Sequence, residues 1–386
     1  MKLLVIGGTG ILSTAVVEEA INRGIEVTMI NRGNNKLFIH PKARLIIGDV
    51  RNNPEGIRES LKNEHFDSVI DFLIWNRTQL QLSLELFSQI SNQYVFISSA
   101  QAYNTSVKGV LTEDSELVQP LWGYSINKVD AETYLQNYCK EKNITYTIIR
   151  PGVNYGNTRI PYGMYPIMGM HWTMVERIKA GKPILTWNNG TNRLNLTRVE
   201  DFALGAVGLI GNEKAYNEIF NVVGDYVYSW MEVLETLGKL IGHKVETLDV
   251  PVDFYAKYLL GDTKEMLVGG RSNDLICSNE KLKNTVPYFE TKYSLEEGLK
   301  ITLNAYNNNN FFKGFDYGYD ARMDRIVKDY IRKERIVDNY NSGMRLYGNE
   351  VFFLRLKAMK NYYVAYFEAD ELYQKIKKLV KLLSPL

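Results

Sequence analysis

Short apolar runs that alternate with helix-patterned stretches constrain this chain more than any other feature. The runs are Lys2 to Ile6, Ile25 to Ile30, Arg44 to Ile47, Asp67 to Leu73, Tyr94 to Ser98 and Tyr146 to Ile149. Between them, Thr14 to Asn22, Pro54 to Lys62, Gln79 to Ile90 and Tyr124 to Lys142 carry helical spacing, as with Val16, Val17, Ala20 and Ile21 in the first. Strands that alternate with helices cannot close as hairpins. They pair in parallel through crossovers, so the expected fold is α/β, a Rossmann-type doubly wound parallel sheet.

Past Arg150 the pattern turns irregular, rich in Gly, Pro, Tyr and Met up to about Gly190. Helical signals return at Val199 to Gly211 and Trp230 to Ile241, and a strand signal at Glu218 to Val223. The organisation expected is a dinucleotide-binding domain over 1–153, joined again by about 190–225, and a smaller substrate-binding subdomain from 154–190 and 226–306. The polar run Asn307 to Asn310 reads as a linker into a helical extension over 311–386. In that extension Leu372, Ile376, Leu379, Val380 and Leu383 share one helical face, opposite Lys375, Lys377, Lys378 and Lys381. Such a face packs on its own protein or on a second subunit more readily than it lies on a membrane, so a homodimer is expected. Phe311, Phe312, Tyr317, Tyr319 and Tyr330 are expected to dock on the body of the protein or on a partner.

Charge and composition exclude several classes. Lys and Arg total 46 against 44 acidic residues, a net charge of +2 over 386 residues. That is no nucleic-acid footprint, which needs a basic excess or a dense patch. Two cysteines, Cys139 and Cys277, give no disulfide framework, and four histidines have no metal-ligand spacing, so no metal is expected. No run approaches the roughly 18 apolar residues of a membrane span, and Met1 to Gly7 is no signal peptide. A reducing, cytoplasmic setting is the expectation.

The chemistry begins at Gly7-Gly8-Thr9-Gly10-Ile11-Leu12-Ser13, between the first strand and the first helix. Glycines allow a tight turn and close approach of a pyrophosphate, and the helix start offers free N–H groups and a positive dipole end. The second strand ends Asn31-Arg32 without the acidic residue that holds an adenosine ribose, and Arg32 can clamp a 2′-phosphate, a lean towards NADP over NAD. Asp49, followed by Val50 at the end of the third strand, can accept from an adenine amino group. Ser98 and Ser99 close the fifth strand, and Tyr124 and Lys128 follow at i, i+4 on one helix face. An ammonium beside a phenol favours the phenolate, so Tyr124 can exchange a proton with a carbinol while hydride moves at the same carbon. Ser99 can hold the substrate oxygen, and Lys128 a ribose.

These segments resemble the extended short-chain dehydrogenase/reductase family, the nucleotide-sugar epimerases and dehydratases. They are joined in this by Gly48-Asp49-Val50, Ile97 to Tyr103, Arg150-Pro151-Gly152 with Tyr155-Gly156, Val199-Glu200-Asp201 and Tyr293 to Leu299. The resemblance implies catalytic roles for Ser99, Tyr124 and Lys128. It also implies cofactor contacts at Gly7, Gly8, Thr9, Gly10, Ile11, Leu12, Asn31, Arg32, Asp49, Val50, Ser98, Tyr124 and Lys128. Arg193 and Arg271 stand where relatives clamp a substrate diphosphate; the other role open to them is structural pairing with Asp201 and Asp274. The chain departs from the family at Ser13, usually Gly, and at Val153, where Asn is common and Asn154 comes next. Ser99-Ala100-Gln101 replaces the Thr-Asp-Glu of 4,6-dehydratases, which argues against dehydration. An epimerase or ketoreductase on a nucleotide-linked sugar is therefore expected. The rivals are an oxidoreductase on a non-nucleotide carbonyl compound and a non-catalytic cofactor-sensing or RNA-binding relative.

Overall fold

Seven parallel strands form the main sheet: β1 (Lys2–Ile6), β2 (Glu26–Asn31), β3 (Arg44–Ile47), β4 (Phe66–Asp71), β5 (Ser91–Ile97), β6 (Tyr146–Pro151) and β7 (Glu218–Val222). Their order is β7-β6-β5-β4-β1-β2-β3, with every pairing parallel. The chain runs outward from β1 in one direction, then returns and builds in the other. The carboxyl ends of β1 and β4 thus flank the switch point, where open α/β sheets bind ligands. The expected α/β fold is observed. The computed structural model describes residues 1–118, 121–164, 170–309 and 313–335.

Helices cover both faces. On one, α1 (Ile11–Asn22) buries Val16, Val17 and Ala20 against β-strand residues Val5, Val27 and Val95. On the other, α2 (Pro54–Ser60), α3 (Arg77–Phe87) and α4 (Gly123–Lys142) bury Ile57, Leu80, Leu84, Ala131 and Leu135 against Leu4, Ile6 and Phe96. A fifth helix, α5 (Val199–Leu209), joins the first layer with Phe202, Ala206 and Leu209. Strands buried on both faces need continuous apolar sequence, which is why β1 reads Leu-Leu-Val-Ile.

The chain divides into two compact units. The first contains Met1–Gly156, Arg193–Tyr228 and Asn273–Gly298; the second contains Asn157–Asn192, Ser229–Ser272 and the described residues from Leu299 on. Residues 273–298 thus fall in the first unit, where the sequence pattern puts them in the second. The second unit pairs Ile184–Thr186 with Thr247–Asp249 in parallel and packs an aromatic core, with Tyr162 against Trp187 and Trp230, and Trp187 against Tyr255. The last helix among the described residues, α6 (Tyr317–Glu334), belongs to this unit. Its Asp320 and Asp324 meet the buried Arg177 and Lys182 in four ion pairs of 2.5 to 3.0 Å.

One further sequence expectation changes: the expected linker at Asn307 starts inside a helix, Leu295–Asn308. The described part of the extension docks on the body of the protein as expected, with Tyr319 Oη donating to the Met164 carbonyl and Tyr330 packed on Phe254 within the second unit. The amphipathic face at Leu372 to Leu383, together with Phe311 and Phe312, lies outside the described residues. Among the described residues no helix is long and apolar enough to cross a membrane, and Cys139 and Cys277 are both free and buried.

Candidate functional site

The glycine-rich loop leaves β1 with Gly7 at φ +82°, a left-handed conformation that disfavours any side chain. Ser13 explains the missing third glycine. Its Oγ donates to the Gly7 carbonyl at 2.7 Å and accepts from the Gly10 N–H at 2.8 Å, so one hydroxyl ties the two ends of the loop. Asn31, at the end of β2, grips the loop from the side: Oδ1 accepts from Gly8 N–H at 3.2 Å and Nδ2 donates to Thr9 Oγ1 at 3.0 Å. Gly10 is the N-cap of α1, and a first helical turn leaves N–H groups such as those of Ile11 and Leu12 without intrahelical acceptors. A rigid loop that points unpaired donors and a helix dipole at one spot suits a pyrophosphate.

Beside this loop, Arg32 is exposed. Asp49 is engaged with its own turn, accepting from Arg51 N–H at 2.9 Å, Asn52 N–H at 3.1 Å and Asn52 Nδ2 at 2.9 Å. The hydrogen bonds of Asn52 hold its carboxyl below the usual value, and Arg32 adds a weaker pull. Val50 is buried in the sheet's second layer with Ile57.

Lys128 is bonded to backbone carbonyls beyond β4 and at the end of β5, with Tyr124 beside it, and Ser99 follows β5. Ser99 follows β5, is buried and caps a short turn by accepting from Gln101 N–H at 3.2 Å. Tyr124 opens α4, its ring between Trp122 at 5.1 Å and Trp75 at 5.7 Å between centroids. Lys128, one turn on, is buried, and its Nζ donates to the Ile74 carbonyl at 2.6 Å and the Ile97 carbonyl at 2.8 Å. It also lies 5.0 Å from the centre of the Phe96 ring and 5.8 Å from that of Tyr124. Burial pushes the Lys128 ammonium down to about 8, while Glu132 and Asp71 pull it back up.

Several residues that sequence reasoning missed hold this arrangement. Glu132 continues the row Tyr124, Lys128 at the next i+4 place. It accepts from Ser98 Oγ, from Arg150 Nε at 3.0 Å and from Arg150 Nη2 at 2.6 Å, all buried. Arg150 continues to Tyr103 Oη at 2.8 Å, and Tyr103 donates to Asn221 Oδ1 at 2.7 Å. Ser98, expected at the cofactor, thus has its hydroxyl in a pin between β5 and α4. Asp71 ends β4 fully buried, accepting from Leu73 N–H at 2.7 Å and Ser83 Oγ at 2.5 Å. Burial raises its carboxyl to about 6 despite those bonds and the Lys128 charge. Gln101 has both carboxamide atoms buried with no hydrogen-bond partner among the described residues.

Of the expected substrate residues, Arg193 is 61% exposed in the first unit and bonded to Asp274, with Nη2 to Oδ2 at 3.2 Å. The structure therefore gives it the pairing that the sequence left as its other role. Arg271 ends a π-helical turn (Met266–Arg271) in the second unit and is 8% exposed. Its Nε is buried without a hydrogen bond, and its guanidinium has no ion pair among the described residues. Asn154 turns back to the Gly152 carbonyl at 2.9 Å and leaves its own Oδ1 buried and unbonded. His171 is structural: burial takes it down to about 4, and Nδ1 sits 3.1 Å from the Ile160 carbonyl.

Known proteins fit this picture. The description "NAD dependent epimerase/dehydratase family" matches residues 3–223. A chloroplast stem-loop binding protein of 41 kDa from Arabidopsis thaliana is 26% identical over 334 residues, 83% of each chain. The fold matches a UDP-glucose 4-epimerase from Thermotoga maritima, in complex with UDP-glucose, at a TM-score of 0.66 and 21% identity over 80% of this chain and 99% of that one. A UDP-glucuronic acid 4-epimerase from Bacillus cereus, in complex with NAD, matches at 0.63 and 18% over the same shares.

Proposed function

The chain belongs to the NAD dependent epimerase/dehydratase family, and from that premise we propose that it is an NAD(P)-dependent epimerase or ketoreductase acting on a carbinol carbon of a nucleotide-linked sugar. The observation that carries this reading is Lys128, buried beside the Tyr124 ring with its Nζ anchored on the carbonyls of Ile74 and Ile97. A desolvated ammonium beside a phenol supports a site that works with charge.

The residues present suit a dinucleotide. Gly7 to Leu12 would take the pyrophosphate, Asn31 would keep the loop shaped for it, and Asp49 and Val50 would border the adenine. When bound, the nicotinamide supplies the hydride acceptor or donor. Lys128 has three donors and spends two on carbonyls, leaving one for a ribose hydroxyl. Its charge favours the phenolate of Tyr124, which would take the carbinol proton in oxidation and return it in reduction. Ser99 would hold the substrate oxygen. Ala100 and Gln101 offer no carboxylate, so loss of water from the sugar is not part of the reading. Arg32 is the residue that would favour NADP; the family description favours NAD.

Arg271 supports the nucleotide-sugar part. A buried guanidinium with an unbonded Nε suits an anion as its missing partner, and a diphosphate would serve.

The test is incubation with UDP-, dTDP- and GDP-sugars, with and without added NAD or NADPH, followed by NMR of the sugars. The expected result is interconversion of epimers or reduction of a keto-sugar, with Tyr124→Phe slower by about 10²- to 10⁴-fold. Turnover unaffected by Tyr124→Phe would overturn the catalytic assignment. Similarity to a stem-loop binding protein over most of both chains supports a second reading, stem-loop binding. A net charge of +2 weighs against it. A gel shift with stem-loop RNA, together with failure to bind either dinucleotide, would favour it over the enzyme.

A further inference from the structure

We propose that Trp75 is the surface on which the sugar ring of the substrate stacks, so that the reacting carbon is held against Tyr124. This rests on the nucleotide-sugar reading and deepens it. Trp75 is 55% exposed, whereas Trp122, Trp172, Trp187 and Trp230 are each 5% exposed or less. A large indole left half in water, T-shaped to the catalytic phenol at 5.7 Å and 69°, has apolar surface in reserve where the substrate must come.

Its position is fixed before any ligand arrives. Along the turn from β4 to α3, Asp71 takes the Leu73 N–H at 2.7 Å, Arg51 Nη2 donates to the Leu73 carbonyl at 2.7 Å, and Lys128 Nζ donates to the Ile74 carbonyl at 2.6 Å. The Trp75 N–H itself donates to Gln79 Oε1 at 2.8 Å. Successive peptide groups are thus each tied to a different element, and the indole leaves from a rigid backbone. The same turn also packs Leu73 on the glycine-rich loop, where a Cβ on Gly7 would come within 2.6 Å of Leu73 Cδ2. One turn therefore touches the cofactor loop, Lys128 and Tyr124 together, and ends in Trp75.

The chemistry of the surface selects the ligand. An indole face is negative at its centre and attracts polarised C–H groups, and it gives a diphosphate nothing. The C–H face of a pyranose fits it, and the ring bearing the reacting carbinol must lie beside Tyr124.

Because Trp75 is the exposed tryptophan, acrylamide quenching of intrinsic fluorescence reads it directly. Quenching of the full chain would be followed during titration with NAD, and then with UDP, UDP-glucose or UDP-glucuronic acid in the presence of NAD, and the affinities of the full chain and of its Trp75→Phe and Trp75→Ala variants for the same ligands would be measured by isothermal titration calorimetry. The expected result is that a UDP-sugar shields the quenchable fluorescence and UDP alone does not. Trp75→Ala should weaken UDP-sugar binding by about tenfold, leave UDP binding unchanged, and be largely rescued in Trp75→Phe. Shielding by NAD alone would make Trp75 a cofactor contact and overturn the proposal. A UDP-sugar preference over UDP that is equal in wild type and Trp75→Ala would overturn it too, leaving the nucleotide-sugar reading intact. Failure of UDP-, dTDP- and GDP-sugars alike to bind to the NAD-loaded protein would end both.

Discussion

Asp71 is fully buried, and its carboxyl sits near 6 rather than near 4 because burial outweighs the bonds from Ser83 and Leu73. A shift of about two units corresponds to about 3 kcal/mol. The folded chain keeps a proton between about pH 4 and 6 that the unfolded chain has released, so this group lowers stability as pH rises through that window. Asp71→Asn can still accept from Leu73 N–H and bond Ser83. It should therefore melt later than wild type above pH 6, by up to about 3 kcal/mol, and lose the advantage towards pH 4. Thermal melts at several pH values check this; a variant that melts earlier at pH 7 contradicts it. The benefit that keeps the acid is the negative charge beside Lys128, which helps that ammonium hold its proton. Arg271 gives a second prediction at this scale. Arg271→Ala should raise KM for a nucleotide sugar roughly 10- to 100-fold, the worth of a charge-assisted contact, with kcat less affected. Steady-state kinetics check it, and an unchanged KM contradicts a diphosphate role. Neither residue's environment was legible in the sequence. Asp71 meets Ser83 across 12 positions, and the burial of Arg271 without an ion pair among the described residues is set by segments far from it in the chain.

Helix α4 carries a single row, Tyr124, Lys128, Glu132, and the row is both the chemistry and its anchor. The first two were legible from i, i+4 spacing after a strand ending in serine. Glu132 is the next step of the same spacing, and extending the row would have found it. Its partner Arg150 could not be read that way, since it sits on β6, 18 positions on. Glu132→Gln keeps the shape and leaves Arg150 charged in a buried place. Breaking such a pair on one side costs about 3 to 5 kcal/mol. The melting temperature should fall by about 4 to 6 °C, at roughly 1.2 °C per kcal/mol for a chain of this length. A variant that melts like wild type would mean that the pair does not hold α4 on the sheet. The loop after β1 shows the same limit of sequence reading. Its glycines were legible, but the reason for Ser13 was its double bond to Gly7 and Gly10, visible only once the turn is closed.

Over the whole molecule, legibility follows how local the determinants are. The sheet was readable because each strand is a short apolar run with a helix beside it, and the switch point follows from right-handed crossovers. The second unit was not, because distant segments build it: Arg177 and Lys182 meet Asp320 and Asp324 across 138 to 147 positions. A sequence read in order places those carboxylates in a separate extension, whereas they neutralise two buried cations. Asp320→Asn with Asp324→Asn should therefore destabilise the protein by more than 3 kcal/mol. Truncation before α6 should leave a chain that aggregates or is rapidly proteolysed. Limited proteolysis and melting of both variants check this, and a well-folded truncation would mean that the helix is an accessory.

Everything proposed for the chemistry requires a nicotinamide dinucleotide on the loop Gly7 to Leu12 and against Lys128. The most direct measurement is mass spectrometry of the small molecules released from the purified protein, followed by titration with NADH and NADPH under nicotinamide fluorescence. The expected result is a retained dinucleotide or saturable binding of at least one of the two, weakened in Lys128→Met. No retained dinucleotide and no binding of either would contradict it.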